Sequence, residues 1–147
     1  MNDKLKFLKT HPDAVLPVRK QSDTNTCDSG YDLTAVENVT VPAGGSVVVP
    51  VGLTLADVPT KVWIRIESRS GLQFKHQISA FNGIIDNQYR GDLGVKLINS
   101  SNVDYHVTKG DRVAQLVCYP LIAPDTDFTD AATSTDRGAK GFGSTGY

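Results

Sequence analysis

Three short stretches hold the residues with chemistry to offer. In GIIDNQYRG, residues 83–91, Asp86 directly follows an apolar run. A carboxylate at the edge of a core can be tuned by burial into a general base. The same aspartate can equally cap a hairpin as an Asx-turn, and the residues alone leave both readings open. In Arg69-Ser70-Gly71, a guanidinium, a hydroxyl and a permissive glycine follow an alternating apolar run. That trio can hold a phosphate oxygen, or can form a plain surface turn. In RGAKGFGSTG, residues 137–146, glycine-rich backbone accompanies Arg137 and the ring of Phe142. An anion-and-ring clamp needs those parts; a frayed tail is the other reading.

Other chemistries find less support. Gly138 and Gly143 have the spacing of a nucleotide-binding P-loop, but the obligatory lysine is missing. His11, His76 and His106 show no metal-ligand spacing with Cys27 and Cys118, and His76 reads as structural. No G-x-S-x-G elbow is present, so serine-hydrolase chemistry is not indicated. The two cysteines lie far apart in sequence and are expected as free thiols in a reducing compartment.

The elements that must position these residues read as strands. Val62, Ile64 and Ile66 alternate with Trp63, Arg65 and Glu67, a period of two. Val95 and Leu97 alternate in the same way with Lys96 and Ile98. The runs VVVPVGLTL, RVAQLVCY and YDLTAV are short and rich in β-branched residues. Gly-containing turn signals separate them, Asn82-Gly83 and Arg90-Gly91-Asp92 among them. The stretch 83–97 reads as a hairpin turning at residues 86–91. No window sustains a 3.6-residue period. The expected fold is all-β, a jelly-roll-like sandwich or barrel over residues 1–124. Residues 125–147 form a linker and a flexible, glycine-rich C-terminal arm.

Composition fits one such domain. The chain has 147 residues, 39% hydrophobic and 21% charged, which is ordinary for a globular protein. Lys+Arg 15 against Asp+Glu 16 gives a net charge of −1, whereas a bulk electrostatic nucleic-acid binder is usually strongly basic. No nucleic-acid or membrane partner is expected. The longest apolar stretch is broken by Pro50 and Gly52, short of the ~20 residues a membrane helix needs. Without an apolar leader at the N-terminus, the cytoplasm is expected, or a host cell interior for a viral source.

Five motifs in register resemble those of the homotrimeric dUTPase family. They are SGYDLTA at 29–35, SRSGLQFKH at 68–76, GIIDNQYRGDLGVKL at 83–97, GDRVAQL at 110–116 and RGAKGFGSTG at 137–146. Together they span most of the chain. The resemblance implies a jelly-roll homotrimer with three active sites, each assembled from three chains. It also implies hydrolysis of dUTP to dUMP and pyrophosphate.

The same resemblance assigns roles. Asp86 would activate the water that attacks the α-phosphorus. Tyr89 would pack beneath the deoxyribose and exclude a 2′-hydroxyl. The backbone between about Ala80 and Asp86, with Asn82, Gly83 and Ile85, would read the uracil edge. A second chain would bring Arg69, Ser70, Gly71 and Gln115 to the phosphates. The third chain's arm would bring Arg137 to the γ-phosphate and Phe142 onto the uracil, with Gly143, Ser144 and Thr145 nearby. Mg2+ would ride on the triphosphate, with Asp32 acting on it indirectly through water. Arg112 is read as structural, pairing within the trimer.

Two positions depart from the family pattern. Ser68 stands where proline is common, which suggests a less rigid turn before Arg69. Asn82 stands where many members place their asparagine slightly earlier, near Ala80. Two other functions are weighed. A dCTP deaminase on this fold would need a glutamate acid/base at the cytosine, where this chain has Asp86. A non-catalytic regulatory protein on the same fold would show a damaged Asp86 or Tyr89, and both are intact.

Overall fold

The computed structural model of the chain describes residues 3–20 and 27–143. Its longest strand, β11 (Arg112–Pro120), is central to a four-stranded sheet. It pairs with β2 (Tyr31–Thr34) on one side and β6 (Val62–Glu67) on the other, and β6 carries β8 (Ile84–Ile85). A three-stranded sheet runs β4 (Ser46–Val49), β9 (Val95–Asn99), β7 (Ile78–Ala80). Two ribbons complete the shell: β1 (Lys6–Lys9) with β5 (Leu53–Asp57), and β3 (Val39–Val41) with β10 (Tyr105–Val107). Every ladder among the described residues is antiparallel. The architecture is a jelly-roll-like all-β fold with one short helix.

Alternation explains which faces go inward. In β6 the side chains of Ile64 and Ile66 are buried while Trp63, Arg65 and Glu67 remain partly exposed. In β9 Val95 and Leu97 are buried and Lys96 is exposed. These residues join Leu33, Leu55, Ile78, Leu93 and Leu116 in one core. Burying each such side chain is worth about 1.5–3 kcal/mol, so the core dominates what the exposed elements contribute. Asn99 is the one buried polar residue described, and its amide is satisfied. Nδ2 donates to Val41 O and Val103 O, and Oδ1 accepts from the Ser101 amide and hydroxyl.

The structure corrects three sequence expectations. Arg69-Ser70-Gly71, for which a surface turn was one reading, open a helix, α1 (Ser70–His76). It is only seven residues long, carries no buried residue and has glycine at its second position, so it leaves no periodic signature. Residues 83–97 do not form a hairpin: β8 pairs with β6, whereas β9 pairs with β4 and β7. The segment between them crosses from one sheet to the other. The apolar run 47–55 is two strands, β4 and β5, paired with different partners on either side of Pro50.

Both cysteines are free, and Cys27 Sγ accepts a hydrogen bond from Arg19. His76 packs against Tyr105 with ring centroids 5.0 Å apart. Past β11, no strand or helix forms from residue 121 to 143, and every residue of that stretch is exposed. No helix among the described residues is long and apolar enough to cross a membrane.

Candidate active site

Strand register brings three distant motifs together. Gln115 on β11 is the Cα partner of Asp32 on β2 and of Glu67 on β6. Arg69 follows Glu67 by two residues, and Ser70 and Gly71 open α1. Asp32, Gln115, Arg69, Ser70 and Gly71 line a cavity of about 250 Å3, with Asp28, Gly30 and Arg112. The first turn of α1 has no side-chain cap, so its leading amides lack helix partners. Asp32 is held between two guanidiniums: Arg69 Nε lies 3.4 Å from Oδ1 and Arg112 Nη1 lies 3.5 Å from Oδ2. Arg69 also donates to the Arg112 carbonyl at 3.3 Å. Arg112, read from sequence as structural, makes an ion pair with Asp32 of its own chain.

Gln115 is fixed by two neighbours. Its Nε2 donates to the Ser68 carbonyl at 2.9 Å. Its side chain crosses Gly30 so closely that a Cβ there would stand 2.8 Å from Gln115 Cβ. Any larger residue at position 30 must displace it. Ser68 does not leave its turn loose, as its departure from proline had suggested. Its Oγ accepts the Ala80 amide at 2.9 Å and ties β7 to the start of α1.

A second cavity, also about 250 Å3, is lined by Asn82, Ile84, Ile85, Asp86, Tyr89, Asp92 and Leu93. Ile85 is buried and paired with Ile64, whereas Asp86, next to it, is exposed. Within the single chain, burial therefore does not shelter this carboxylate. Nor does the carboxylate cap its turn; the bond closing residues 86–89 runs from the Tyr89 amide to the Asp86 carbonyl, 3.0 Å. Tyr89 donates its hydroxyl to the Asp92 carbonyl at 2.7 Å, and its ring lies across Gly91. A Cβ at Gly91 would fall 2.6 Å from Tyr89 Cζ. Asn82 bridges to β9, donating to Gly94 O at 2.7 Å and accepting from the Lys96 amide at 3.1 Å. Its amide is thus engaged by backbone, with one hydrogen and one lone pair left over. Gly83 has φ 77°.

The single chain does not bring every sequence-derived residue together. The two cavities share no residue. Asp86 also borders a third and wider hollow of about 530 Å3, with Trp63, Ile84, Asn87, Gln88 and Leu121. Arg137, Phe142 and Gly143 line none of the three; Phe142 is fully exposed and Arg137 donates to the carbonyls of Lys140 and Gly141. Ser144 and Thr145 lie outside the described residues. Sequence reasoning passed over Gly30, Asn87 and Gly91. Each sits inside a motif, but Gly30 and Gly91 matter through close contacts and Asn87 through hydrogen bonds to distant backbone, none of which spacing can reveal.

A jelly-roll-like chain with one carboxylate-and-tyrosine cavity and a separate arginine-lined one defines the class for comparison. A family model described as dUTPase matches residues 18–146. The chain belongs to the dUTPase family. It is 42% identical over 145 residues to a deoxyuridine 5'-triphosphate nucleotidohydrolase of Gloeothece citriformis, covering 97% of each. It is 44% identical over 138 residues to that of Solanum lycopersicum, covering 94% of this chain and 79% of the tomato protein. Among solved structures, a Staphylococcus bacteriophage 80alpha dUTPase with dUPNHPP superposes with a TM-score of 0.86 at 26% identity, covering 99% of this chain and 100% of the phage chain.

Proposed function

We propose that this chain hydrolyses dUTP to dUMP and pyrophosphate, which limits uracil in DNA and supplies dUMP for dTMP synthesis. The observation that carries the reading is the register of β2, β11 and β6, which gathers Asp32, Gln115 and Arg69, Ser70 and Gly71 at the start of α1 around one cavity in a member of this family. Water is the nucleophile. Its oxygen attacks the α-phosphorus while the Asp86 carboxylate takes its proton. The bond from that phosphorus to the bridging oxygen breaks, and pyrophosphate leaves with the electron pair.

Binding is divided among chains of a homotrimer. One chain offers Asp86, the Tyr89 ring beneath the deoxyribose, and backbone groups near Asn82, Gly83 and Ile85 for the uracil edge. Cytosine is rejected because it would mispair with those fixed donors and acceptors. A second chain offers Arg69, Ser70, Gly71 and Gln115 to the phosphates. The arm of a third, residues 125–147, closes with Arg137 at the γ-phosphate, Phe142 stacked on uracil and Gly143 and Ser144 beside the phosphates. The separateness of the two cavities and the exposure of residues 121–143 support this division.

The donor set fits Mg2+ carried by the substrate. Asp32 is already paired with two guanidiniums, which suits a contact through water better than direct ligation. When bound, the ion neutralises triphosphate charge. A solved phage phi11 dUTPase is described with a structural Mg(II) ion. The test is a panel of dUTP, UTP, dCTP and dTTP scored for pyrophosphate and ammonia. Pyrophosphate from dUTP alone is expected; ammonia from dCTP would overturn the reading.

A further inference from the structure

The proposed base stands in an awkward place. Asp86 is exposed, and its carboxylate has no hydrogen bond or ion pair among the described residues. Whatever fixes it must act through its neighbours in the chain. On one side Ile85 is buried and held by Ile64. On the other, Asn87 Nδ2 donates to Pro59 O at 2.9 Å and to Val62 O at 2.7 Å. An amide nitrogen carries two hydrogens, so both bonds form at once. Among the described residues, no other side-chain hydrogen bond ties residues 86–91 to a distant part of the chain. Arg90 donates to the Asn87 and Tyr89 carbonyls, and Tyr89 to the carbonyl of Asp92, the residue that follows the loop.

We infer that Asn87 is the positioning residue for Asp86, pinning the turn that carries the base to the β5–β6 connection and the first residue of β6. The inference rests on the reading of Asp86 as the base and adds a residue to it. Its chemistry is specific. Aspartate at 87 would set acceptors against two carbonyls, alanine would remove both donors, and serine keeps a single, shorter one. Pro59 and Val62 are only partly buried, so water can satisfy their carbonyls once the amide is gone. The fold then loses little while the base loses its place. Reacting groups misplaced by about 1 Å cost up to about a hundredfold in rate.

Asn87→Ala and Asn87→Ser are compared with wild type and with Asp86→Asn in the full chain, measuring kcat and KM for dUTP and Tm. For Asn87→Ala, kcat is expected to fall by about tenfold or more with KM within about threefold, at a temperature where the variant is folded. Asn87→Ser is expected to fall between, and is scored alone if the alanine variant does not fold. Wild-type kcat in a folded variant would overturn the inference, as would a loss explained by the unfolded fraction. The Asp86→Asn arm separates the two claims. If it stays active, the reading of Asp86 fails; if it is dead while folded Asn87 variants are fully active, only the inference fails.

Discussion

Asp86 is proposed for a task usually given to a sheltered carboxylate, yet in the single chain it faces solvent. On that proposal its character as a base comes from what is brought to it, a triphosphate and a second chain. Asp86→Asn keeps the shape and loses the proton acceptor, so kcat is expected to fall by about 10²–10⁴ while affinity for a non-hydrolysable dUTP analogue changes little. Parallel kinetics and titration check this; unchanged kcat would reduce Asp86 to a turn residue. Gly91 bears on selectivity. A methyl group there would displace the Tyr89 ring and break its bond to the Asp92 carbonyl. Gly91→Ala is therefore expected to narrow the preference for dUTP over UTP by about tenfold, the scale of one pocket contact. The ratio of kcat/KM values for the two nucleotides measures it, and an unchanged ratio would remove Tyr89 from sugar selection.

At the scale of elements, the joint between β6, α1 and β7 matters most. The Ser68 hydroxyl accepts the amide of Ala80, a buried residue, and its carbonyl accepts Gln115. Ser68→Ala leaves that amide without a partner and is expected to cost about 1–3 kcal/mol, read from denaturant midpoints. No change in midpoint would mean that water replaces the hydroxyl. This joint also marks the limit of what the sequence could tell. β6 and β9 were legible because alternation records which face is buried, and β11 because its run is rich in β-branched residues. Alternation does not record the partner, so residues 83–97 looked like a hairpin although Ile85 and Val95 enter different sheets. α1 was invisible because it buries nothing. At the site, Asp86, Tyr89, Arg69 and Gln115 were legible as residue types within motifs. Gly30 and Gly91 were not, because their importance is a distance to a side chain that only the folded backbone sets.

At the scale of the whole molecule, the core ends with β11, and residues 121–143 add nothing to it. Deleting residues 137–147 is expected to leave a folded trimer of about three times 15.8 kDa, less the deleted segments, by sedimentation. It should cost more than about tenfold in kcat/KM through loss of closure over the substrate. A truncated chain of full activity would show the arm to be an ordinary tail, and an active monomer would remove the shared site altogether.

The two cavities that share no residue carry a consequence for inheritance. If each site draws its halves from different chains, two separately dead copies can complement one another. Asp86→Asn chains and Arg69→Ala chains, each inactive alone, are expected when co-refolded in equal amounts to restore about one quarter of the sites, by random assortment of neighbours. A mixture as inactive as its components would place both halves of the site in one chain. Conversely, either defective copy added to wild type would poison sites belonging to intact neighbours.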